Sequence, residues 1–199
     1  TRLSFEAELT LLRDLSRWDA ASSAERRLAA EAVDARMDRF SFVKLEAFSC
    51  GGQRHEVALF THPTTGLEFV LVPAGTFWMG SPDGEGDDDE ARHRVTLTQP
   101  FLLARTECTQ AAWSRVMQTA PSEFEGADLP VERVSWTESM QFCERAGLVL
   151  PTEAQWEYAC RAGTSTRFTA GDAESDLARI GWYGENSASS THAVGSKPA

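Results

Sequence analysis

The chain has 199 residues, 42% of them hydrophobic, and a formal net charge of −11. That is enough apolar material for one packed domain with an appendage. The negative balance opposes non-specific attraction to nucleic acid or anionic membrane, and the longest apolar run, Phe69–Gly75, is too short to span a bilayer.

Residue 1 is threonine, and the segment Phe5–Leu15 is interrupted by charge, so no secretory h-region is legible. The expectation is a cytoplasmic chain, or one cut from a longer polypeptide. Thr1 to about Ala47 reads as a helical leader or linker, 1–47. Phe5, Leu9, Leu12 and Leu15 recur at helical spacing. Ser22 stands three residues before Glu25, a capping-box spacing, and Leu28, Ala29, Ala32, Val33, Met37 and Phe40 follow as one stripe. Two such helices need their apolar faces covered, and the following domain, 48–199, is the expected cover.

Gln53–Phe60 and Leu67–Val72 alternate like paired strands around a turn at His62–Gly66. Phe77, Trp78 and Met79 are expected to pack beneath them. The acidic run Asp83–Glu90 lacks the spacing of an EF-hand calcium loop and reads as a solvated surface loop. Arg94–Thr98 alternates as a strand, and Pro100–Arg105 continues the sheet. Thr109 is placed to cap a helix bearing Trp113, Val116 and Met117. Glu107, just before it, suits a cap or an ion pair. Gln118–Pro130 reads as a loop.

Val134–Thr164 carries the densest signals. Ser135 precedes Glu138 by three residues and Thr152 precedes Gln155 by three, two more capping boxes. Gly147 and Gly163 lie where the two helices should stop. Pro151 fixes the entry to the second. Trp136, Met140 and Cys143 share one helical face, and Trp156, Ala159 and Cys160 another. These faces are expected to form the centre of a core. Beyond Thr164, Phe168, Gly171 and Asp172 fit a turn, and Ile180–Tyr183 and Ala193–Gly195 read as weak strands.

The stretches LPVERVSW (Leu129–Trp136) and FCERAGLVLPTEAQWEYACRAGT (Phe142–Thr164) resemble the signature of the formylglycine-generating enzyme, or sulfatase-modifying factor, family. FVLVPAGTFWMGS (Phe69–Ser81) and PFLLARTECTQAAWSRVM (Pro100–Met117) match it in the same order. The resemblance covers about Val57 to Ala199. It implies an α+β fold of the irregular, loop-rich, C-type-lectin-like kind, here preceded by a helical segment.

The family's complete catalytic members convert a substrate cysteine to formylglycine with copper(I) held by a late cysteine pair, and carry a structural calcium. The soft thiolate pair suits copper(I). None of Cys50, Cys108, Cys143 and Cys160 aligns with that pair. In some extracellular relatives, the positions of Cys143 and Cys160 are bridged to later cysteines, which have no counterpart here. The position aligned with a calcium-ligating asparagine is Arg179, or Asn186 if the alignment shifts. A related branch holds iron with three histidines. His55, His62, His93 and His192 lack the H-x-x-x-H spacing.

No C-x-x-C pair, G-x-S-x-G elbow or phosphate loop with a following lysine is present. Cys143 and Cys160 read as buried free thiols. Trp78, Trp113, Trp136, Trp156 and Trp182 sit in apolar patterns and read mostly as core anchors. No residue is assigned a catalytic, cofactor-binding or metal-ligating role. The expectation is a domain of this family that is not catalytic as it stands. It would be the front part of a longer protein, a truncated product, or a chain completed by another. The alternative is a binding or regulatory module of a larger signalling or defence protein. The expected partner is a protein or peptide, one option being the remainder of its own parent chain.

Overall fold

The computed structural model describes residues 10–81 and 90–198. The expectations for Phe5, Leu9 and most of the acidic run Asp83–Glu90 lie outside them. Helix α1 (Leu15–Ala20) starts at Asp14, whose carboxylate accepts from Ser16 N–H. Helix α2 (Ser23–Asp34) starts at the Ser22–Glu25 capping box. Both pack on a four-stranded antiparallel sheet of order β1 (Ser41–Cys50), β2 (Gln53–Thr61), β3 (Glu68–Val72), β6 (Phe101–Ala104). Their shared core holds Leu12, Trp18, Ala29, Ala30, Phe60, Phe69 and Leu71. The N-terminal helices therefore find their cover on the following sheet.

Residues 41–47, expected to be helical, are the first part of β1. Met37 and Phe40 accordingly lie past the end of α2. The reason lies at Gly51 and Gly52, with φ of 55° and 79°. Two successive left-handed residues make the two-residue hairpin turn whose twist matches paired strands. Nine of the ten residues of β1 then pair with β2, from Ser41↔Thr61 to Cys50↔Gln53, with a bulge at Val43 where the register shifts. The pairing of β2 with β3 and the His62–Gly66 turn match the sequence expectation, with Gly66 N–H donating to His62 O at 2.8 Å.

The strand β4 (Gly75–Met79) leaves this sheet and pairs with β5 (His93–Leu97) as a separate two-stranded ribbon. Helix α3 (Gln110–Met117) is capped by Thr109, whose hydroxyl accepts from Ala112 N–H. It packs against α4 (Trp136–Ala146), with Trp113 stacked on Phe142 at 5.4 Å between ring centroids. This second, smaller core also holds Cys143, with Leu148 and Leu150 against it.

Helix α5 (Glu153–Arg161) lies on the β4–β5 ribbon through Tyr158, 5.3 Å from Phe77 between ring centroids. Glu157 accepts from Gly80 N–H at 2.9 Å, and Arg161 donates to Gly80 O at 3.0 Å, pinning the end of β4. The last helix, α6 (Glu174–Ile180), was not legible as one. It takes Ile180 out of the expected strand, and neither Ile180–Tyr183 nor Ala193–Gly195 forms one.

Both central capping boxes are formed. Ser135 Oγ accepts from Glu138 N–H and Glu138 returns the bond to Ser135 N–H at 2.8 Å. Thr152 and Gln155 do the same at the head of α5. Gly147 caps α4 at φ 70° as expected, whereas α5 stops one residue before Gly163, at Ala162 with φ 44°. Ser135→Ala and Thr152→Ala are each expected to cost about 1 kcal/mol, the usual cost of losing an N-cap oxygen. Urea melts of each variant measure this, and a change below about 0.3 kcal/mol would mean the cap is replaced by water.

Candidate functional site

The tryptophans divide in a way the sequence pattern does not show. Trp18 and Trp113 are buried, while Trp78, Trp136, Trp156 and Trp182 are 53, 72, 58 and 44% exposed. The expected core roles of Trp78, Trp136, Trp156 and Trp182 are therefore corrected, and of the tryptophans expected as core anchors only Trp113 is buried. On α5 the buried aromatic is Tyr158, two residues and about 200° around the helix from Trp156. On α4 the buried residues are Phe142, Cys143 and Ala146, so Trp136 and Met140 fall to one side of the packed face. Val149, in the link between the helices, is 84% exposed because Leu148 and Leu150 turn inward.

Large exposed apolar side chains among the described residues fall mostly after β3, with Val43 the exception. Beyond Tyr158 no described residue is buried. The α4–link–α5 unit thus offers a half-covered surface, built on rigid, capped helices.

Cys50 lies on β1, Cys143 on α4 and Cys160 on α5, while Cys108 lies in the loop before α3. Cys143 is buried, Cys50 and Cys108 are half-buried, and Cys160 is exposed on the Trp156 side of α5. The expectation that Cys160 is buried is corrected. Burial, and then the neighbouring Cys143, pushes the Cys108 thiol up to about 12. Burial also pushes up Cys143. Cys160 is raised too, because neighbouring atoms crowd its sulfur despite the residue's exposure. Alkylation with peptide mapping is expected to label Cys50 and Cys160 first and Cys108 and Cys143 only on unfolding. Fast labelling of Cys143 would show that the second core opens freely.

The histidines are dispersed. His55 Nδ1 faces Asp19 at 3.0 Å and its Nε2 faces Ala162 O at 2.9 Å, tying α1 and the end of α5 to β2. His93 Nδ1 lies 2.9 Å from Ala91 O. His192 stacks on Trp182. His62 is fully buried, with Nδ1 3.0 Å from Thr65 Oγ1. Burial, and then the Arg39 guanidinium, lowers its pKa. Glu138 is lowered by hydrogen bonds from Ser135.

Both shifts have the same sign in stability. Each group's folded value lies below its unfolded value, so its contribution is complete above the unfolded value and lost as pH falls through the folded one. Urea midpoints are expected to fall as pH drops from 7, and His62→Gln to flatten the change below about pH 6.5. A wild-type midpoint constant from pH 7 to 5 would show that His62 is not held neutral.

The residues in the calcium-aligned positions do not fit a cation. Asn186 Oδ1 already accepts from Tyr183 N–H at 2.8 Å, and its Nδ2 donates to Gly181 O at 3.0 Å. Arg179 presents a guanidinium, 3.6 Å from Asp176. Copper(I) takes paired, accessible thiolates, whereas Cys143 is buried, Cys50 and Cys108 are half-buried and Cys160 alone of the four is exposed. Among the described residues, no group of three or more His, Cys, Asp or Glu side chains is placed to hold a metal. No helix among them is long and apolar enough to cross a membrane.

Comparison with known proteins gives the context for this surface. The Pseudomonas aeruginosa protein PvdO has a similar fold, with a TM-score of 0.56 and 24% identity over 70% of this chain and 66% of that one. The Mus musculus formylglycine-generating enzyme is 53% identical over 75 residues, covering 38% of this chain and 19% of its own length. The Mus musculus inactive C-alpha-formylglycine-generating enzyme 2 is 26% identical over 145 residues, covering 47% of each. The chain spans about half, or less, of the length of the curated relatives it matches. The profile of the sulfatase-modifying factor enzyme 1-like domain matches residues 56–199. With that profile matching most of its length, this α+β chain belongs to the sulfatase-modifying factor enzyme 1-like domain family.

Proposed function

We propose that this chain acts as a formylglycine-generating-enzyme-like domain that binds polypeptide, with no copper oxidase chemistry at its own four cysteines. The observation that carries the reading is the state of those thiols. Cys108 and Cys143 share a packed core, where burial pushes both thiols up. Cys50 ends β1 and Cys160 lies on α5, so neither has a paired partner on its own element. A relative whose name calls it inactive supports a non-catalytic role on this fold. The half-covered helices supply the binding surface, as a module of a larger signalling or defence protein would need. The similarity to the mouse enzyme favours a second reading, the front part of an oxidase whose copper ligands and calcium lie elsewhere in the polypeptide.

Copper loading under reducing conditions, followed by metal analysis, tests the first reading. Well under one copper per chain is expected. One tightly held copper, lost on replacing any two of the four cysteines, overturns it.

A further inference from the structure

We infer that Arg54 and Arg179 line a cavity that binds a small multivalent oxyanion, a phosphate or a carboxylate. Its residues are not those of the α4–link–α5 surface, so the site goes beyond the polypeptide-binding reading.

The cavity has a volume of about 360 Å³. The β1–β2 hairpin supplies Ser49, Gln53 and Arg54, the end of α6 supplies Arg179 and Ile180, and Pro198 also lines it. Two contacts hold these walls together. Gly51, at the hairpin tip, sits so close to the Thr169 carbonyl that a Cβ there would lie 1.9 Å from its oxygen. Arg179 Nη2 donates to the next carbonyl, Ala170 O, at 3.4 Å. The hairpin tip and the Arg179 side chain therefore rest on neighbouring residues of one loop, and the cavity is in place before a ligand arrives.

Charge decides the ligand. The described lining residues include two guanidinium groups and no Asp or Glu, in a chain with 30 acidic and 19 basic residues. Arg54 makes no ion pair among the described residues. Its field reaches Glu56, whose carboxylate is already paired with Arg26 at 2.7 Å. Arg179 reaches Asp176 only at 3.6 Å, beyond the roughly 2.7–2.9 Å of a charge-assisted hydrogen bond. Both guanidinium groups therefore keep donors for a ligand. The Ser49 hydroxyl and the Gln53 amide add neutral ones.

A guanidinium meets phosphate or carboxylate with two parallel bonds. Two of them in one cavity suit a ligand with more than one negative charge. The volume lies at the lower end of the range for ligand cavities, about 300–1,000 Å³, which fits a small molecule. Nucleic acid, the other common polyanion, is opposed by the net charge of −11.

The test titrates pyrophosphate and citrate separately into the chain, read by calorimetry and by amide chemical shifts of isotopically labelled protein. One anion per chain is expected, with the largest shifts at Gly51, Gly52 and Arg54. The anion that binds more tightly names the group, phosphoryl or carboxylate, and either supports the site. Arg54→Gln and Arg179→Gln are each expected to weaken binding at least about tenfold, the scale of one hydrogen bond to a charged group. Arg54→Lys and Arg179→Lys keep the charge and are expected to lose less. Arg94→Gln with Arg145→Gln removes positive charge elsewhere and is expected to change nothing. Arg54 and Arg179 are exposed, so urea midpoints are expected to stay at the wild-type value.

If neither anion moves the Gly51 and Gly52 amides, the inference is overturned. Equal weakening by the remote arginine pair would mean non-specific attraction and overturn it as well. So would binding that Arg179→Gln leaves unchanged, which would reduce the site to adsorption at Arg54.

Discussion

Trp18→Ala is expected to abolish cooperative folding. The indole is fully buried in the core between α1, α2 and the four-stranded sheet. Its Nε1 donates to Glu56 O at 2.7 Å, and its own carbonyl accepts from Arg26 Nε at 2.8 Å. Arg26 also pairs with the Glu56 carboxylate at 2.7 Å. Removing a buried large aromatic costs about 3–5 kcal/mol. Leaving the Glu56 carbonyl without its donor adds about 1–3 kcal/mol. A domain has about 5–15 kcal/mol to lose.

Trp18→Phe keeps most of the ring volume and is expected to lose less, with a measurable urea transition. Trp156→Ala, on the open face, is expected to change stability by no more than about 0.5 kcal/mol. Urea melts followed by circular dichroism compare the three. If Trp18→Ala costs under about 1 kcal/mol, the N-terminal helices are not part of the cooperative unit.

The second large effect is expected at Tyr158. Its ring is 5% exposed, sits against Phe77, and its hydroxyl donates to Ala74 O at 3.4 Å. It is the main apolar contact between α5 and the β4–β5 ribbon, a ribbon too small to be stable alone. Tyr158→Ala is expected to cost about 3 kcal/mol and to undock α5 from the ribbon. Gly75→Ala reaches the same place from the other side, because a Cβ there runs into the Tyr158 hydroxyl. Hydrogen exchange read by mass spectrometry is expected to show α5, β4 and β5 losing protection together in both variants, while β1–β3 keep theirs. Unchanged protection in β4 and β5 would show that Glu157 and Arg161 hold the ribbon without Tyr158.

These expectations rest on contacts of different legibility. The helix starts at Ser22, Thr109, Ser135 and Thr152 follow from side chains that bond within three residues of themselves, so a sequence displays them. The β2–β3 pairing was equally legible, because alternation and a turn are local. The first strand was missed because Phe42, Leu45 and Phe48 also fit a helical stripe. The glycine pair at 51 and 52 was the signal that separates the two periods. Helix α6 is not legible because its N-cap residue is Ala173, which has no side-chain oxygen to cap it, and none of its residues is buried.

The amino-acid sequence by itself determined the family, the caps, the β2–β3 pairing and the dispersal of cysteines and histidines along the chain. Those properties depend on residue types at short spacings. Tertiary structure alone decided which side of each central helix is covered. Trp156 is more apolar than Tyr158, yet Tyr158 is buried, because its side of α5 meets Phe77 and the Ala74 carbonyl takes its hydroxyl. Trp136 stands off the packed face because Trp113 stacks on Phe142 around the side of α4. Helical periodicity names a stripe, but the neighbour that covers it lies far away in sequence. For that reason Trp136, Met140 and Trp156 read as core from helical spacing, and only the packed fold turns them outward.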